Sequence, residues 1–378
     1  MEWDTSRAPL SRGDLARVTR MGLLAESFEH DIATGLLVNR RRRVFYPIVR
    51  GVPRMLVFPT AVAQEFTTHY RPRLEREFPG YSTPAEAGTP GEAAVLRSFS
   101  NEWLHYEWDE RAYWGQSAEE LFNSMDFALD LAHKDLRDAL VLEVGIGIGG
   151  IADHVSRSQQ CELAGIDLSY AVEPAYRHFR DNPFLHIVQA SAFAPPFRPE
   201  SFDYVYSQGV LHHTYSTRAA FKRVARLPRI GGRLYVWVYS RYDERRTPLR
   251  RVLFALESGL RPIYSRLPDP LQTIALAPWV PLYIVHQRRE ARRNEHSTTY
   301  GWREAMHAAR DRWTPRYVHR HTDEQVCRWF RAAGFEELSR LSERPAPESV
   351  PEALVAAVGV EGVRVIYPAA DSLSASLP

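Results

Sequence analysis

The residues whose types and spacing most clearly indicate a chemical role are glycines and acids near the middle of the chain. Residues 142–150 read LEVGIGIGG, and a second segment, GID, ends at Asp167. Glycines let a backbone turn sharply and pass close to a ligand, because they carry no side chain that would clash. An acid at the end of the next strand can accept hydrogen bonds from both hydroxyls of a ribose. The pattern predicts a site for a cofactor that contains a nucleoside.

The segments around these residues must form the elements that position them. The apolar run 139–144 predicts a buried parallel strand, and residues 151–158 predict the helix that the glycine turn opens. A second apolar strand is predicted over 162–166, so that Asp167 lies at the same edge of the sheet as the glycines. The unit is therefore strand, glycine turn, helix, strand and acid.

The glycine spacing alone does not identify the cofactor. Gly145, Gly147 and Gly150 fit the pattern GxGxxG, which is typical of dinucleotide sites but weak in isolation. However, Glu143 stands two residues before the first glycine, and Gly149 gives the alternative spacing GxGxG. Five more motifs follow in order: QASA at 189–192, PF at 196–197, SFDYV at 201–205, GVLHHT at 209–214 and GGRL at 231–234.

In these motifs, and in their order and spacing, the chain resembles the class I S-adenosylmethionine-dependent methyltransferases of the type 11 group. The resemblance implies an α/β fold whose Rossmann-like sheet is parallel except for one antiparallel hairpin strand, with S-adenosylmethionine as the cofactor. Glu143 would face the methionine ammonium group, Asp167 would bind the ribose, and Ala192 would lie beside the adenine. The cofactor-binding residues that the resemblance implies are Glu143, Gly145, Gly147, Gly149, Asp167, Leu168, Ser191, Ala192, Ser207 and Gln208.

Ser191 departs from the family pattern. Members of the family usually have an acid at this position, which accepts a hydrogen bond from the adenine amino group. A serine hydroxyl can accept the same bond more weakly. The departure bears on the affinity for the cofactor more than on its identity.

Composition and length are typical of a globular enzyme. The chain has 378 residues, of which 44% are hydrophobic and 25% charged, and it is long enough for two or three units. The two cysteines, Cys161 and Cys327, are far apart and outside any metal-binding spacing, so no metal site is predicted. The sequence shows neither a secretory leader nor an apolar run long enough for a membrane span, which predicts a cytoplasmic location.

Five regions are predicted along the chain. Residues 1–60 form a small β-rich domain, 61–95 a linker with a short helix at its start, and 96–240 the methyltransferase core. Residues 241–320 form a basic helical insertion after the fifth strand of the sheet. Residues 321–378 complete the core and form a tail.

The N-terminal domain has a resemblance of its own. Its ending at residues 46–56, YPIVRGVPRML, resembles a small zinc-ribbon-like domain that serves as the activator of tRNA and translation-factor methyltransferases. Such domains often carry cysteine pairs, whereas residues 1–60 contain no cysteine, so no metal is expected there. A turn is predicted at 33–35. The run of arginines at 40–43 is either a solvated hairpin or a nucleic-acid contact, and the first is favoured.

The end of the fold is predicted from patterns on both sides of the insertion. The fifth strand is predicted over 234–239, and the chain resumes with a helix over 322–333 that ends at a glycine. The final antiparallel hairpin is predicted from strands at 336–341 and 362–367.

Two segments are candidates for contact with a methyl acceptor. The aromatic-rich residues 99–114, with Trp108 and Trp114, could form a lid over the site or a docking surface for the N-terminal domain. The insertion holds 16 arginines, no lysine and eight acids, with an apolar run at 274–285. This composition predicts a small-molecule acceptor that is anionic or hydrophobic, including a lipid reached at a membrane surface. The alternative is that the apolar run is only the insertion's own core. Nucleic acid is disfavoured.

Methyl transfer requires alignment of the acceptor with the methyl group and, for a hydroxyl or carbon acceptor, removal of a proton. His212 and His213 follow the fourth strand, at the edge where ligands bind, and either imidazole is a candidate base. The alternative is that these rings only pack or bind backbone. Further candidates for acceptor binding are Tyr239, Tyr317 and His321.

The sequence favours a methyltransferase of small metabolites in biosynthesis. A methyltransferase of tRNA or another macromolecule, a non-catalytic partner that binds S-adenosylmethionine, and a nicotinamide-dependent oxidoreductase remain as alternatives. Fold does not choose among acceptors, because oxygen, nitrogen, carbon and sulfur acceptors share this fold.

Overall fold

The computed structural model describes residues 2–6, 17, 31–103, 117–241, 248–292 and 299–365. The N-terminal part is an antiparallel sheet in which neighbouring strands are also neighbours in sequence. The run 40–43 forms the turn between the second and third strands, which fits the predicted hairpin. The strands are β1 (Glu2–Ser6), β2 (Asp31–Asn39), β3 (Val44–Val49) and β4 (Val52–Pro53).

The turn predicted at 33–35 is wrong. Thr34 and Gly35 lie inside β2, where they pair with Val49 and Ile48 of β3. The glycine is tolerated there because its partners on both sides continue the ladder of hydrogen bonds, and neighbouring Leu36 is fully buried. Burial of the strand therefore outweighs the local turn signal.

The segment predicted as a linker instead contains two helices, α1 (Ala61–His69) and α2 (Arg71–Glu77). Phe66 of α1 and Leu74 of α2 pack against the apolar face of the N-terminal sheet. A sheet of this size needs such a cover, because a few strands alone bury too little apolar surface. This small core contains Leu36, Phe45, Phe66 and Leu74, with Val38, Val49, Tyr70, Phe78 and Tyr81 at its margin.

The main sheet has seven strands in the order β10-β11-β9-β8-β5-β6-β7. Six of them run in the same direction, whereas β11 is antiparallel to both of its neighbours. The predicted fold class, a Rossmann-like sheet with one antiparallel hairpin strand, is confirmed. The strands are β5 (Leu140–Val144), β6 (Glu162–Asp167), β7 (Leu185–Gln189), β8 (Phe202–Gln208), β9 (Pro228–Val238), β10 (Phe335–Arg340) and β11 (Val358–Arg364).

The last strand begins four residues before its predicted start. Its first half contains Gly359, which breaks the apolar pattern in the sequence. In the structure a Cβ at this position would lie 2.7 Å from the Cβ of Leu341, so the glycine permits Leu341, which follows β10, to pack closely against the strand.

Helices cover both faces of the sheet, and each face has its own apolar core. One core contains side chains from the helices at residues 217–224 and 323–332, and the other contains side chains from the helices at residues 118–129, 150–159 and 172–179. The helices of this layer are α3 (Glu92–Trp103), α4 (Ala118–Leu129), α5 (Gly150–Gln159), α6 (Val172–Phe179), α7 (Thr217–Val224), α12 (Asp323–Ala332) and α13 (Glu352–Val355).

The insertion is helical and has a separate core around α11, which includes Ala305, Ala309 and Trp313. Its apolar run is divided between two environments. Leu276 and Val280 are fully buried, whereas other side chains of the run are exposed. The helices are α8 (Pro248–Tyr264), α9 (Asp269–Leu276), α10 (Val280–Ala291) and α11 (Trp302–Trp313), and the exposed residues of the run are Ile274, Leu282 and Val285.

The insertion leaves and rejoins the core at a single point. Ser240 and His321 pair as in a parallel sheet. The backbone N–H of His321 donates to the carbonyl of Tyr239 at 2.9 Å, and that of Arg241 donates to the carbonyl of His321 at 2.8 Å. None of the helices in the described part of the chain combines the length and apolar character needed to cross a bilayer.

The N-terminal sheet is joined to the edge strand β7 of the main sheet. The N–H of Met55 donates to the carbonyl of Gln189 at 2.8 Å, next to the buried side chain of Arg54. Arg54 donates from Nη1 to Gln189 Oε1 at 3.2 Å and from Nη2 to Glu173 Oε1 at 2.9 Å. A buried guanidinium with these partners fixes the position of one unit against the other.

We expect Arg54→Ala to lower the free energy of unfolding by about 3 kcal/mol, because it removes the buried partner of Glu173. Arg50 also pairs with Glu173, but its side chain is 79% exposed, so Arg50→Ala should cost less than about 1 kcal/mol. Urea unfolding of both variants measures the difference. Equal losses would show that burial of Arg54 does not anchor the N-terminal unit.

Candidate functional site

The glycine turn lies at the carboxyl end of β5, where its backbone closely approaches a neighbouring loop. Gly145 has a φ of +93°, and a Cβ there would lie 2.1 Å from Cγ2 of Val210. No other residue fits this position without displacing that side chain. The turn therefore brings the loop after β8, which carries His212 and His213, against the end of β5.

Asp167, the last residue of β6, is bonded directly to the glycine turn. Its Oδ2 accepts from the N–H of Gly147 at 3.0 Å, and its Oδ1 accepts from the N–H and the hydroxyl of Ser169 at 2.8 and 2.7 Å. Burial raises the pKa of Asp167, and these three bonds oppose the rise. The predicted acid and the predicted turn thus form one unit.

Glu143 is buried beneath the turn, within β5. Its Oε2 accepts a hydrogen bond from the Tyr206 hydroxyl at 3.0 Å. Burial raises the pKa of Glu143 to about 8, and the nearby charge of Asp167 adds to the rise. Beside it, the fully buried Ser207 donates to the carbonyl of Val144 at 3.0 Å, and Gln208 ends β8.

The residues predicted to contact adenine lie beyond the ends of β6 and β7. Gln189 donates from Nε2 to the carbonyl of Leu168 at 3.1 Å, which joins the two loops. Ser191 is buried, and its hydroxyl donates to Glu92 of α3 and accepts from the N–H of Phe193 at 3.1 Å. Ala192 next to it is partly exposed. The contact with Glu92 was missed from the sequence.

Helix α3 lies across this edge of the sheet. The hydroxyl of Ser100 accepts from the N–H of Tyr170 at 3.0 Å, just after β6. The Phe99 ring contacts the ring of His213 at 5.2 Å, after β8. The helix therefore spans the site from one side to the other. Trp108 and Trp114, predicted to contact the acceptor, lie outside the described residues.

His212 and His213 are packed together, with ring centroids 4.1 Å apart. Burial lowers the pKa of both rings, to about 3 for His213. Nδ1 of His213 is bonded to the carbonyl of Tyr317 at 3.0 Å, and the ring of His212 lies 3.9 Å from that of Tyr239. Both imidazoles are thus held in the neutral form beside Tyr239.

Tyr317 and His321, which were predicted to bind the acceptor, have different surroundings. Tyr317 donates its hydroxyl to the carbonyl of Pro90 at 3.2 Å, just before α3. The ring of His321 is bonded to Thr217 at 2.9 Å and to Gln325 at 3.1 Å. Both nitrogens of His321 are therefore occupied by hydrogen bonds, which fix the point near Ser240 where the insertion leaves and rejoins the core.

Two acids near Tyr239 and His307 were not singled out from the sequence. Glu102 near the end of α3 is 2% exposed, and neither of its carboxylate oxygens has a hydrogen-bond partner among the described residues. Its Oε1 lies 3.7 Å from Nε2 of His307, which stands one helical turn before Asp311 on α11. Asp311 accepts from the Tyr239 hydroxyl at 3.4 Å.

The two acids influence each other. Burial and the charge of Asp311 raise the pKa of Glu102 well above its ordinary value. Burial raises the pKa of Asp311 to about 6. No pattern in the sequence joins them, because α3 and α11 are separated by the whole sheet core and most of the insertion.

Among the described residues, four arginines of the insertion form ion pairs with its own acids. Glu257 forms ion pairs with three of them, and Arg310 pairs with Asp269 at 2.7 Å. A guanidinium that already has a carboxylate partner offers less to an anionic ligand. The three partners of Glu257 are Arg261, Arg312 and Arg320.

Comparisons with known proteins identify a methyltransferase domain in the middle of the chain. Residues 142–236 match the model of a family described as a methyltransferase domain. The sterol 24-C-methyltransferase of Candida albicans is 30% identical over 147 residues, which cover 36% of this chain and 39% of that protein. Phosphoethanolamine N-methyltransferase 2 of Caenorhabditis elegans is 29% identical over 104 residues, which cover 27% of this chain and 24% of that protein.

The chain spans about two fifths or less of the length of these curated relatives. A solved structure of phosphoethanolamine N-methyltransferase 2 from Haemonchus contortus, in complex with S-adenosylhomocysteine, is also similar. It has a TM-score of 0.39 and 14% identity, and the match covers 79% of this chain and 60% of that one. The central segment is a methyltransferase domain, and its cofactor is S-adenosylmethionine. The zinc-ribbon-like nature of residues 1–60 stays a prediction.

We expect cofactor binding at pH 7 to release close to one proton from Glu143, whose pKa of about 8 keeps it protonated in the ligand-free protein. The cofactor's ammonium favours the ionised acid, so affinity should rise as the pH approaches 8. Calorimetry in two buffers with different ionisation enthalpies measures the release. Glu143→Gln should abolish it, whereas Glu162→Gln, at the opposite end of β6, should not. Equal release in both variants would contradict the assignment.

Proposed function

We propose that the whole chain is an S-adenosylmethionine-dependent methyltransferase that acts on a small molecule. One observation carries the proposal: α3 and the insertion close over the ligand edge of a methyltransferase domain and bring together two acids, Glu102 and Asp311, beside Tyr239. A non-catalytic partner would have no need for a carboxylate such as Glu102, which is buried and has no hydrogen-bond partner among the described residues, because such a group reduces stability. The pair of acids is therefore best explained by an acceptor.

The acceptor in this proposal is a metabolite whose reacting end is held among Tyr239, Glu102 and Asp311. Two acids at that end favour a proton-bearing nitrogen or oxygen, because an anion would be repelled. The anionic character predicted from the basic insertion has less support at this point, since Arg261, Arg310, Arg312 and Arg320 are paired with the insertion's own acids. Hydrophobic parts of the acceptor would contact Tyr317 and the aromatic rings of α3.

The cofactor contacts follow the sequence prediction. Asp167 and Leu168 would hold the ribose, Glu143 the ammonium group, and the turn from Gly145 the methionine end. Donor and acceptor would then meet above the ends of β5 and β8. The names of the similar proteins, a sterol and a phosphoethanolamine methyltransferase, are compatible with a small-molecule acceptor.

We propose that Asp311 removes the acceptor's proton and that His212 and His213 position the acceptor in their neutral form. A base is effective when its pKa lies near the working pH, and the value of about 6 for Asp311 is closer to neutrality than the value of about 3 for His213. In the reaction the acceptor atom bonds to the methyl carbon, the carbon–sulfur bond breaks, and the acceptor's proton moves to the carboxylate. S-adenosylhomocysteine leaves as a neutral thioether.

The experiment is transfer of labelled methyl groups from S-adenosylmethionine to a cell extract. We expect label in the small-molecule fraction. Asp167→Ala should weaken cofactor binding by about 1 to 3 kcal/mol, the cost of an unpaired hydrogen-bonded group. Asp181→Ala, at an exposed surface pair, is the matched control. Absence of cofactor binding would overturn the proposal, as would label confined to RNA or protein.

The role of Asp311 predicts a distinct pH dependence of turnover. With the labelled small-molecule fraction as substrate, the wild-type rate should rise as the pH increases through about 6, because Asp311 must be ionised to accept a proton. Asp311→Asn should lower the rate on the order of 100-fold and abolish this rise. His213→Gln should keep the rise. A variant of Asp311 with an unchanged pH profile would exclude it as the base.

A further inference from the structure

A carboxylate from outside the methyltransferase motifs lies at the position where the sequence lacks an acid. Ser191 follows β7, and its hydroxyl donates a hydrogen bond to Oε1 of Glu92, in the first turn of α3. Glu92 is only 5% exposed and Ser191 only 3% exposed. An acid is therefore present beside Ser191 in space, although it comes from a helix that precedes the sheet.

The order of the strands indicates which part of the cofactor lies there. Glu143 on β5 is assigned to the ammonium end and Asp167 on β6 to the ribose. β7 is the next strand in the sheet, so a cofactor extended along the strand ends places its base beyond β7. Partly exposed apolar groups of Leu168 and Ala192 flank this position and can hold an aromatic ring.

We propose that Glu92 accepts a hydrogen bond from the exocyclic amino group of the cofactor's adenine, in place of an acid at position 191. Its Oε2 accepts from the N–H and the hydroxyl of Thr89 at 2.7 and 2.8 Å. Its Oε1 accepts only from Ser191 among the described residues, which leaves one lone pair for a further donor. An ionised oxygen accepts such a bond more strongly than a neutral hydroxyl does.

Glu92 also belongs to the cap of α3, but capping does not account for its position. Two other glutamates cap helices in the same way: Glu120 bonds to Ser117 and Glu304 bonds to Gly301, each within its own turn. Both are more exposed than Glu92. Glu92 uses one oxygen for its cap and directs the other to a buried residue 99 positions away.

This role deepens the proposed function and rests on it, because α3 also carries Glu102 at the acceptor side. Residues 92 and 102 are about 15 Å apart along the helix, from the rise of 1.5 Å per residue. Binding of adenine by Glu92 would thus fix the helix that forms one wall of the acceptor site. Cofactor binding would precede and support acceptor binding.

The test compares S-adenosylhomocysteine with its 6-oxo analogue, S-inosylhomocysteine, by calorimetry. The analogue presents a carbonyl oxygen in place of the amino group, so the carboxylate repels it. The wild-type protein should bind S-adenosylhomocysteine at least about ten-fold more tightly. Glu92→Gln should reduce this ratio several-fold, because an amide can donate to the carbonyl. Thr89→Ala, which alters the cap and keeps the acid, should leave the ratio unchanged.

The double variant Glu92→Gln with Ser191→Asp should restore the wild-type ratio. The inference is overturned if the wild type does not discriminate, if Glu92→Gln keeps the full ratio, or if Thr89→Ala lowers the ratio equally. Should Glu92→Gln fail to fold, Glu92→Asp provides the same comparison, because its shorter side chain withdraws the carboxylate. Failure of the wild type to bind S-adenosylhomocysteine at all would instead refute the proposed function.

Discussion

Burial of carboxylates at one edge of the sheet is the constraint on which the arrangement of the site depends. An acid removed from water must be hydrogen-bonded, paired or protonated, since otherwise its desolvation opposes folding. Asp167 meets this requirement through the glycine turn, Glu143 through Tyr206, and Glu92 through Thr89 and Ser191. Each bond draws a different element toward the ends of the strands. The part of the site that is proposed to hold the cofactor is thus organised by acids that are hydrogen-bonded within the protein.

The N-terminal unit also contacts the main sheet close to this edge. It extends the main sheet at β7 through Met55 and Gln189, and the buried Arg54 ties both to Glu173 of α6. β7 is also the strand that leads to Ser191. The N-terminal sheet therefore supports the loop that is proposed to hold the adenine of the cofactor.

The parts predicted from sequence are those whose signal is local. The run from Glu143 to Gly150 and the acid Asp167 are set by short-range needs of a turn and a strand end, so residue types alone reveal them. The turn at 33–35 failed because burial in β2 outweighed local propensity. Glu92, Glu102 and Asp311 gave no local signal, because each reads as an ordinary polar residue of an amphipathic helix until packing brings it to the sheet edge.

The insertion is attached to the core in a way that allows it to be replaced as a unit. The segments by which the chain enters and leaves it lie side by side at Ser240 and His321, and the insertion has its own core around Trp313. A segment attached in this way can be exchanged, lengthened or rebuilt through two adjacent chain positions without changing the order or pairing of the strands in the main sheet. Under the proposed function, the preference for an acceptor can therefore change by replacement of the insertion alone, while the residues proposed to hold the cofactor stay the same.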